Sequence, residues 1–157
     1  MCDSGSDDKS IRRAEARALK LLTYHMMTVH EMRERLSGDG FTPEQVEAAV
    51  AYCGSFGYLD DRRYAENYLF SMREKRSEER IRCELEEKGV DGAVVDEVFD
   101  ENPYDEDEVV YSLICRKAGE PHEFDDRELR RVYAFLARKG FRPSQIWKGI
   151  HRFQDAS

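Results

Sequence analysis

The sequence has few of the residues that interrupt helices and no apolar segment long enough to span a membrane. Only four prolines and ten glycines occur in 157 residues, which favours a chain dominated by helix. No apolar run approaches the roughly 18 residues of a membrane span, and the N-terminus MCDSGSDDKS has neither a basic start nor an apolar stretch. We therefore expect a cytoplasmic protein without membrane contact.

Catalytic and metal-binding patterns are also missing from the sequence. The four cysteines are widely separated and none belongs to a C-x-x-C pair, so metal and redox frameworks are not supported and buried or inert thiols are favoured. The four histidines show no H-E-x-x-H spacing, and neither a G-x-x-x-x-G-K-[ST] nor a G-x-S-x-G motif occurs. We predict a protein that is not an enzyme and that binds no metal or cofactor.

The chain does contain an internal repeat. The segment GFTPEQV at residues 40–46 returns as GFRPSQI at residues 140–146, and a weaker copy, GVDGAVV, begins at Gly89. Apolar residues stand eight and four positions before each of the three glycines, and six and ten positions after it. They are Met32, Leu36, Val46 and Val50, then Ile81, Leu85, Val95 and Phe99, then Val132, Leu136, Ile146 and Ile150. This spacing predicts a helix, a glycine-ended turn and a second helix, three times over.

A further amphipathic segment precedes each helix pair, so each repeat is predicted to hold three helices. The fold class is therefore all-α, with repeats at residues 11–59, 60–103 and 104–153 between a disordered tail at 1–10 and a short tail at 154–157. No repeat can bury much apolar surface alone, so we expect the three to stack into an elongated body. The third departs in its first turn, where AGEPHEFDD forms a longer acidic loop.

Capping residues support the predicted helix starts. The candidate caps are Thr28, Thr42, Ser77 and Asp91. The two threonines are followed three positions later by Glu or Gln, which completes a capping box. Arg142, at the equivalent position in the third repeat, is a poor cap because its side chain has no acceptor atom.

The stretch GYLDDRRYAENY at residues 57–68 sets two adjacent carboxylates against two adjacent arginines. An acid/base site is one interpretation, but side chains adjacent in sequence point in different directions on a helix. We interpret the stretch as the joint between the first two repeats. A glycine ends one helix, Tyr58 and Leu59 pack between the repeats, and an aspartate caps the next helix, whose buried stripe begins with Tyr64 and Ala65. The joint residues are Gly57, Tyr58, Leu59, Asp60, Asp61, Tyr64 and Ala65.

Charge is segregated towards the C-terminus. Residues 91–126 carry 2 basic and 13 acidic groups, whereas residues 127–153 carry 8 basic and 1 acidic. Such density attracts phosphate or an acidic protein surface, although a charge run is also typical of a solvated helix face. Alternatively, the acidic stretch folds back on the basic one and masks it.

Two polar positions of the repeat become aromatic in the basic third copy. Seven residues after the glycine, Glu47 of the first repeat corresponds to Trp147, and seven before it, Arg33 corresponds to Tyr133. These rings either pack against neighbouring structure or form an exposed surface of aromatic and Arg residues, the composition of an interface hot spot. The predicted partner-binding residues are Arg127, Arg130, Arg131, Tyr133, Arg138, Lys139, Arg142, Trp147, Lys148 and Arg152.

Two motifs connect the chain to a known family. Residues 57–65 satisfy a G-Y-[LI]-[DN]-D-x-x-[FY]-A pattern, and RSEERIRCELEEKGV at residues 76–90 fits R-x-x-x-x-I-x-x-E-L-x-x-K-G-[IV]. With these motifs in order inside a threefold repeat, residues 11–153 resemble the RecX family of bacterial recombination regulators. The resemblance implies a curved, all-helical protein that binds the RecA recombinase along the groove of its filament on single-stranded DNA.

The resemblance also implies a non-enzymatic regulator that lowers ATP hydrolysis and strand exchange in recombination and DNA repair. We expect a monomer, with weak direct DNA contact through the basic third repeat. The net charge of −8 is more acidic than expected for a protein that settles against DNA. Two alternatives stay open: a direct DNA-binding helical-repeat protein, which the acidic starts of the helices at Pro43 and Asp91 fit poorly, and an interaction scaffold for an unrelated protein.

Overall fold

The computed structural model describes residues 4–157, with side chains from residue 7 onward. In this part of the chain nine α-helices follow one another without a strand, which confirms the predicted all-α class and three helices per repeat. The helices are α1 (Ser4–Tyr24), α2 (Val29–Gly38), α3 (Pro43–Ser55), α4 (Asp61–Met72), α5 (Glu78–Glu87), α6 (Gly92–Glu101), α7 (Glu106–Ala118), α8 (Asp126–Arg138) and α9 (Pro143–Asp155). Among these residues, no helix is both long and apolar enough to cross a bilayer.

The structure places helix in parts of both predicted tails. Helix α1 begins at Ser4, so residues 4–10 are helical, while residues 1–3 of the predicted tail lie outside the described part. Acidic residues such as Asp7 are favourable in the first turn because they face the positive end of the helix dipole. Helix α9 runs to Asp155 because the buried Phe153 anchors its last turn.

The repeat spacing predicted the core correctly. All twelve apolar residues placed by the offsets from the three glycines are at most 9% exposed. The turns also match, because Gly40, Gly89 and Gly140 have φ values of +94°, +86° and +92°. Each turn closes with the hydrogen-bond pair of a Schellman motif; the N–H groups of Gly40 and Phe41, for example, donate to the carbonyls of Ser37 and Leu36.

The caps follow the predicted chemistry. Thr28 and Thr42 each form a complete capping box. The Ser77 hydroxyl accepts a hydrogen bond from the Arg80 N–H at 3.1 Å. The Asp91 carboxylate accepts from the Ala93 N–H at 2.9 Å. At the start of α9 the Arg142 side chain makes no cap, and the Gln145 side chain accepts from the Arg142 N–H at 3.0 Å instead.

The chain forms two compact units whose boundary runs through the second repeat. The first comprises residues up to Glu66 together with Leu85–Val98, and the second comprises Asn67–Glu84 together with Phe99–Ser157. The core of the first unit comes from α1, α2 and α3 and includes Ala18, Met32, Leu36, Val46 and Cys53. The core of the second comes from α7, α8 and α9 and includes Ile114, Leu136, Ile146, Ile150 and Phe153. Of the cysteines predicted to be buried or inert, Cys53 is buried in this core, whereas Cys83 is exposed on α5.

Inside the first unit, a buried threonine connects the first repeat to the turn of the second. Thr28 is fully buried, and its hydroxyl donates to the Lys88 carbonyl at 2.6 Å while accepting from the Glu31 N–H at 3.1 Å. The next residue along the turn, Gly89, packs so closely on His30 that an added Cβ would overlap the imidazole side chain. Glycine is therefore required here both for its positive φ and for its lack of a side chain.

The same arrangement recurs inside the second unit. The Ser77 N–H donates to the Lys139 carbonyl at 3.1 Å, and an added Cβ on Gly140 would meet the side chains of Ser77 and Arg80. Ser77 is also buried, with 2% exposure. A small hydroxyl residue that caps the second helix of one repeat thus packs against the glycine turn of the following repeat, once in each unit.

The GYLDDRRYAENY stretch is a joint, with its two aspartates in different roles. The Asp60 carboxylate caps α4 by accepting from the Arg63 N–H at 3.2 Å. The Asp61 carboxylate accepts from the Val29 N–H at 2.9 Å, at the start of α2. Glu106 makes the corresponding contact in the second unit, accepting from the Glu78 N–H at 2.6 Å. In each unit, therefore, a carboxylate from the following repeat stabilises the positive N-terminal end of a helix.

The remaining joint residues divide between core and surface. Gly57 has a φ of +74° after α3, and Leu59 and Ala65 are buried, as predicted. Tyr64 is half-buried; burial and then the charge of Glu31 raise the pKa of its hydroxyl, against an opposing effect of Lys88. The predicted packing of Tyr58 between repeats is wrong. Its ring is 54% exposed and stacks on Phe56 at a centroid distance of 5.7 Å, because it points away from the side that buries Leu59.

Candidate partner-binding surface

The acidic helix α7 neutralises two of the eight cations in residues 127–153. Lys148 Nζ lies 2.7 Å from the Asp107 carboxylate, and an Arg152 guanidinium nitrogen lies 2.7 Å from the Glu108 carboxylate. Hydrogen bonds to these carboxylates raise the pKa of both cations. Arg152 also covers the Tyr111 ring at 3.9 Å from its centroid. Two of the ten predicted binding residues therefore serve the packing of α9 on α7.

Helix α8 retains its positive charge. Its four arginines are exposed and make neither an ion pair nor a side-chain hydrogen bond with residues 7–157, whose side chains the structure describes. We call them the α8 arginine stripe: Arg127, Arg130, Arg131 and Arg138. Their helical positions place them away from the buried Val132 and Leu136. The stripe therefore remains available to a partner.

A second group of cations adjoins the end of α8. Arg76, Arg80, Arg138 and Lys139 line a groove together with Glu84 and Phe135. Lys139 Nζ lies 4.8 Å from the centroid of the Phe135 ring. Burial raises the pKa of Glu84, but hydrogen bonds from Tyr68 and Arg76 outweigh it and hold the pKa below its usual value. With four cations and one carboxylate, the groove carries excess positive charge next to the stripe.

Three aromatic side chains form a connected group on α8 and α9. The ring centroids of Tyr133 and Trp147 are 5.4 Å apart, and those of Trp147 and His151 are 6.1 Å apart. Trp147 is 41% exposed, His151 is exposed and Tyr133 is half-buried. The sequence left open whether the Trp147 ring packs against neighbouring structure or is exposed, and the structure shows it exposed. We call Tyr133, Trp147 and His151 the aromatic group.

Sequence reasoning missed the role of His122 in the long loop between α7 and α8. Its two ring nitrogens lie 2.8 Å from the Glu120 carbonyl and 2.8 Å from the Glu128 carboxylate. Its ring also contacts Phe153, with centroids 5.5 Å apart. Both polar partners are acceptors, and only the imidazolium donates from both nitrogens. The hydrogen bond to Glu120, followed by that to Glu128, raises the pKa of His122 above its ordinary value of 6.5.

Replacing His122 with Ala should destabilise the protein more at mildly acidic than at alkaline pH. A raised folded-state pKa contributes stability that is complete below the unfolded pKa of about 6.5 and is lost as pH rises through the folded pKa. Thermal unfolding of both proteins at about pH 5.5 and pH 8.5 measures the difference. A larger loss at the alkaline pH would contradict the assignment.

Three family models match the chain in order. The first three-helix domain of RecX matches residues 14–53, the second residues 60–98 and the third residues 105–150. The chain belongs to the RecX family. Each matched RecX domain lies within one of the three predicted repeats, and the predicted family is confirmed.

Curated relatives agree with the RecX models. The Regulatory protein RecX of Trichlorobacter lovleyi is 38% identical over 135 residues, covering 82% of this chain and 88% of that protein. The protein of the same name from Vibrio vulnificus is 33% identical over 130 residues, covering 82% of this chain and 85% of that protein. Relatives of this kind support a regulatory role within the RecX family.

Solved RecX structures share the fold. The crystal structure of RecX from Lactobacillus salivarius superimposes with a TM-score of 0.74 at 19% identity, covering 96% of this chain and 99% of that one. A second crystal structure, of a regulatory protein RecX, gives a TM-score of 0.73 at 23% identity and covers 96% of this chain and 75% of that one. The tandem three-helix architecture is therefore that of RecX.

Proposed function

We propose that this protein binds the RecA recombinase and its filament on single-stranded DNA, and that it lowers ATP hydrolysis and strand exchange by the filament. Membership of the RecX family supports this proposal, and the α8 arginine stripe is the observation that carries it. The protein acts by binding rather than by catalysis, as a cytoplasmic monomer in recombination and DNA repair.

The stripe suits an anionic partner for two physical reasons. Its guanidinium groups have no carboxylate partner within the described chain, so binding breaks no internal ion pair. Arginine also makes bidentate, charge-assisted hydrogen bonds with carboxylates and phosphates. A filament assembled on DNA offers both kinds of anion, and the density of positive charge on α8 raises the rate of encounter.

Inhibition follows if the protein binds one state of the filament more tightly than another. A ligand shifts a conformational equilibrium only by its differential affinity for the two states. A shift from 1:99 to 99:1 needs roughly a 10⁴-fold difference in affinity, and a smaller difference gives partial inhibition. We therefore expect tighter binding to the filament state with low ATPase activity.

Sedimentation with preassembled filaments tests the binding step. Filaments of the cognate RecA on single-stranded DNA should carry this protein into the pellet in a saturable manner. Because exposed charges are screened by salt, the bound fraction should fall as ionic strength rises. Protein that stays in the supernatant at low salt, with intact filaments in the pellet, would overturn the proposal.

A further inference from the structure

The aromatic group occupies a position where the first repeat has a salt bridge. In that repeat Arg33 Nε lies 2.8 Å from a Glu47 carboxylate oxygen, joining α2 to α3. The corresponding residues of the third repeat, Tyr133 and Trp147, join α8 to α9 by ring contact. An ion pair thus suffices to join these helices, and packing alone does not require the exposed indole.

An exposed aromatic surface beside unpaired cations suits a specific class of ligand. Arg130 lies one helical turn before Tyr133 on α8, and residues three positions apart are neighbours on a helix surface. Binding sites for single-stranded nucleic acid combine cationic side chains that hold the phosphates with aromatic rings on which bases stack. A partner with an apolar surface would offer no anionic groups to the neighbouring arginines, which would remain unpaired.

We propose that the aromatic group is a stacking site for unpaired bases of single-stranded DNA, with Arg130 and the adjoining α8 arginine stripe holding the phosphates. Trp147 and His151 provide exposed ring surface, and Tyr133 supports the indole from α8. A duplex is a poor ligand because its bases are already stacked on one another and offer no free face. The site acts on DNA alone, so its existence does not depend on RecA binding.

Trp147 is the only tryptophan in the chain, so its fluorescence reports directly on this site. Titration with oligothymidylate, in the absence of RecA, should quench the emission until the site is saturated. The duplex formed from the same strand and oligoadenylate should quench it much less at equal phosphate concentration. Unchanged emission with oligothymidylate, or equal quenching by strand and duplex, would overturn the proposal.

A double variant separates stacking from charge. Tyr133→Arg with Trp147→Glu places the salt bridge of the first repeat into the third and leaves the net charge unchanged. It should keep the melting temperature close to that of the original protein and lower the affinity for a labelled oligothymidylate, read by fluorescence anisotropy, by about tenfold or more. Trp147→Leu, which retains apolar contact with Tyr133 but removes the indole face, should show a similar loss.

The outcomes of this experiment are distinct from those of the RecA proposal. If both variants bind oligothymidylate as tightly as the original protein, the stacking site is wrong, whatever happens with filaments. If Trp147 emission responds to RecA filaments but never to bare oligothymidylate, the aromatic group is a protein contact and the stacking proposal fails. Quenching by oligothymidylate without any binding to filaments supports the stacking site and rejects the RecA role.

Discussion

Reversal of the α8 arginine stripe should lower the affinity for RecA filaments by about tenfold or more, because like charges then face an anionic partner. The variant carries Arg127→Glu, Arg130→Glu, Arg131→Glu and Arg138→Glu. Binding should also become less sensitive to salt, since fewer phosphate or carboxylate contacts release counterions. Sedimentation or anisotropy measurements at several salt concentrations give both quantities. Since all four side chains are exposed, the melting temperature should change little.

Helix α1 offers a control with the same change in net charge. Its four exposed cations, which have no ion pair among the described residues, are Lys9, Arg12, Arg13 and Lys20. Reversing them should weaken filament binding far less than reversing the stripe, because their effect is limited to screened long-range repulsion. Equal losses in the two variants would assign the effect to total charge and reject the stripe as the contact.

Replacement of Gly89 by Ala should cause a larger loss of stability than the same change at Gly40. Both residues have positive φ, which costs an alanine roughly 1–2 kcal/mol of unfolding free energy. At Gly89 the new methyl group would also overlap His30, whereas at Gly40 it would meet nothing within 4 Å. The overlap should add about 1–3 kcal/mol to the loss. Urea denaturation of the three proteins measures the two differences.

The Gly40 variant isolates the backbone cost, so the difference between the variants reports the contact with His30. Gly140→Ala should resemble Gly89→Ala, since its methyl group would meet Ser77 and Arg80. Equal losses at Gly40 and Gly89 would mean that His30 moves aside without cost and that the close packing is not essential.

The sequence was sufficient for features that depend on nearby residues. Helix spacing, glycine turns and capping boxes each involve residues within about one or two helical turns, so local patterns determine them. For this reason the repeats, their twelve core residues and the Thr28 and Thr42 caps were predicted correctly. The same local pattern also revealed the exchange of Arg33 and Glu47 for Tyr133 and Trp147.

The sequence was insufficient where residues far apart in the chain meet. Residues 127–153 look uniformly basic, yet Lys148 and Arg152 pair with acids of α7 that lie 41 and 44 positions away, whereas the α8 stripe has no such partner. The sequence predicted that Asp60 or Asp61 caps α4, and Asp60 does so. It gave no sign that the Asp61 carboxylate accepts from the Val29 N–H, 32 residues earlier. Which acid neutralises which cation depends on helix packing, and charge counts do not contain that information.

The rate of DNA-dependent ATP hydrolysis by the cognate RecA, with this protein titrated in, is the most direct test of the proposed function. The rate should fall steadily and reach a plateau as the filament saturates, and the stripe variant should need a higher concentration for the same effect. An unchanged rate at concentrations that saturate the filament would contradict the regulatory role in RecA activity proposed for this chain.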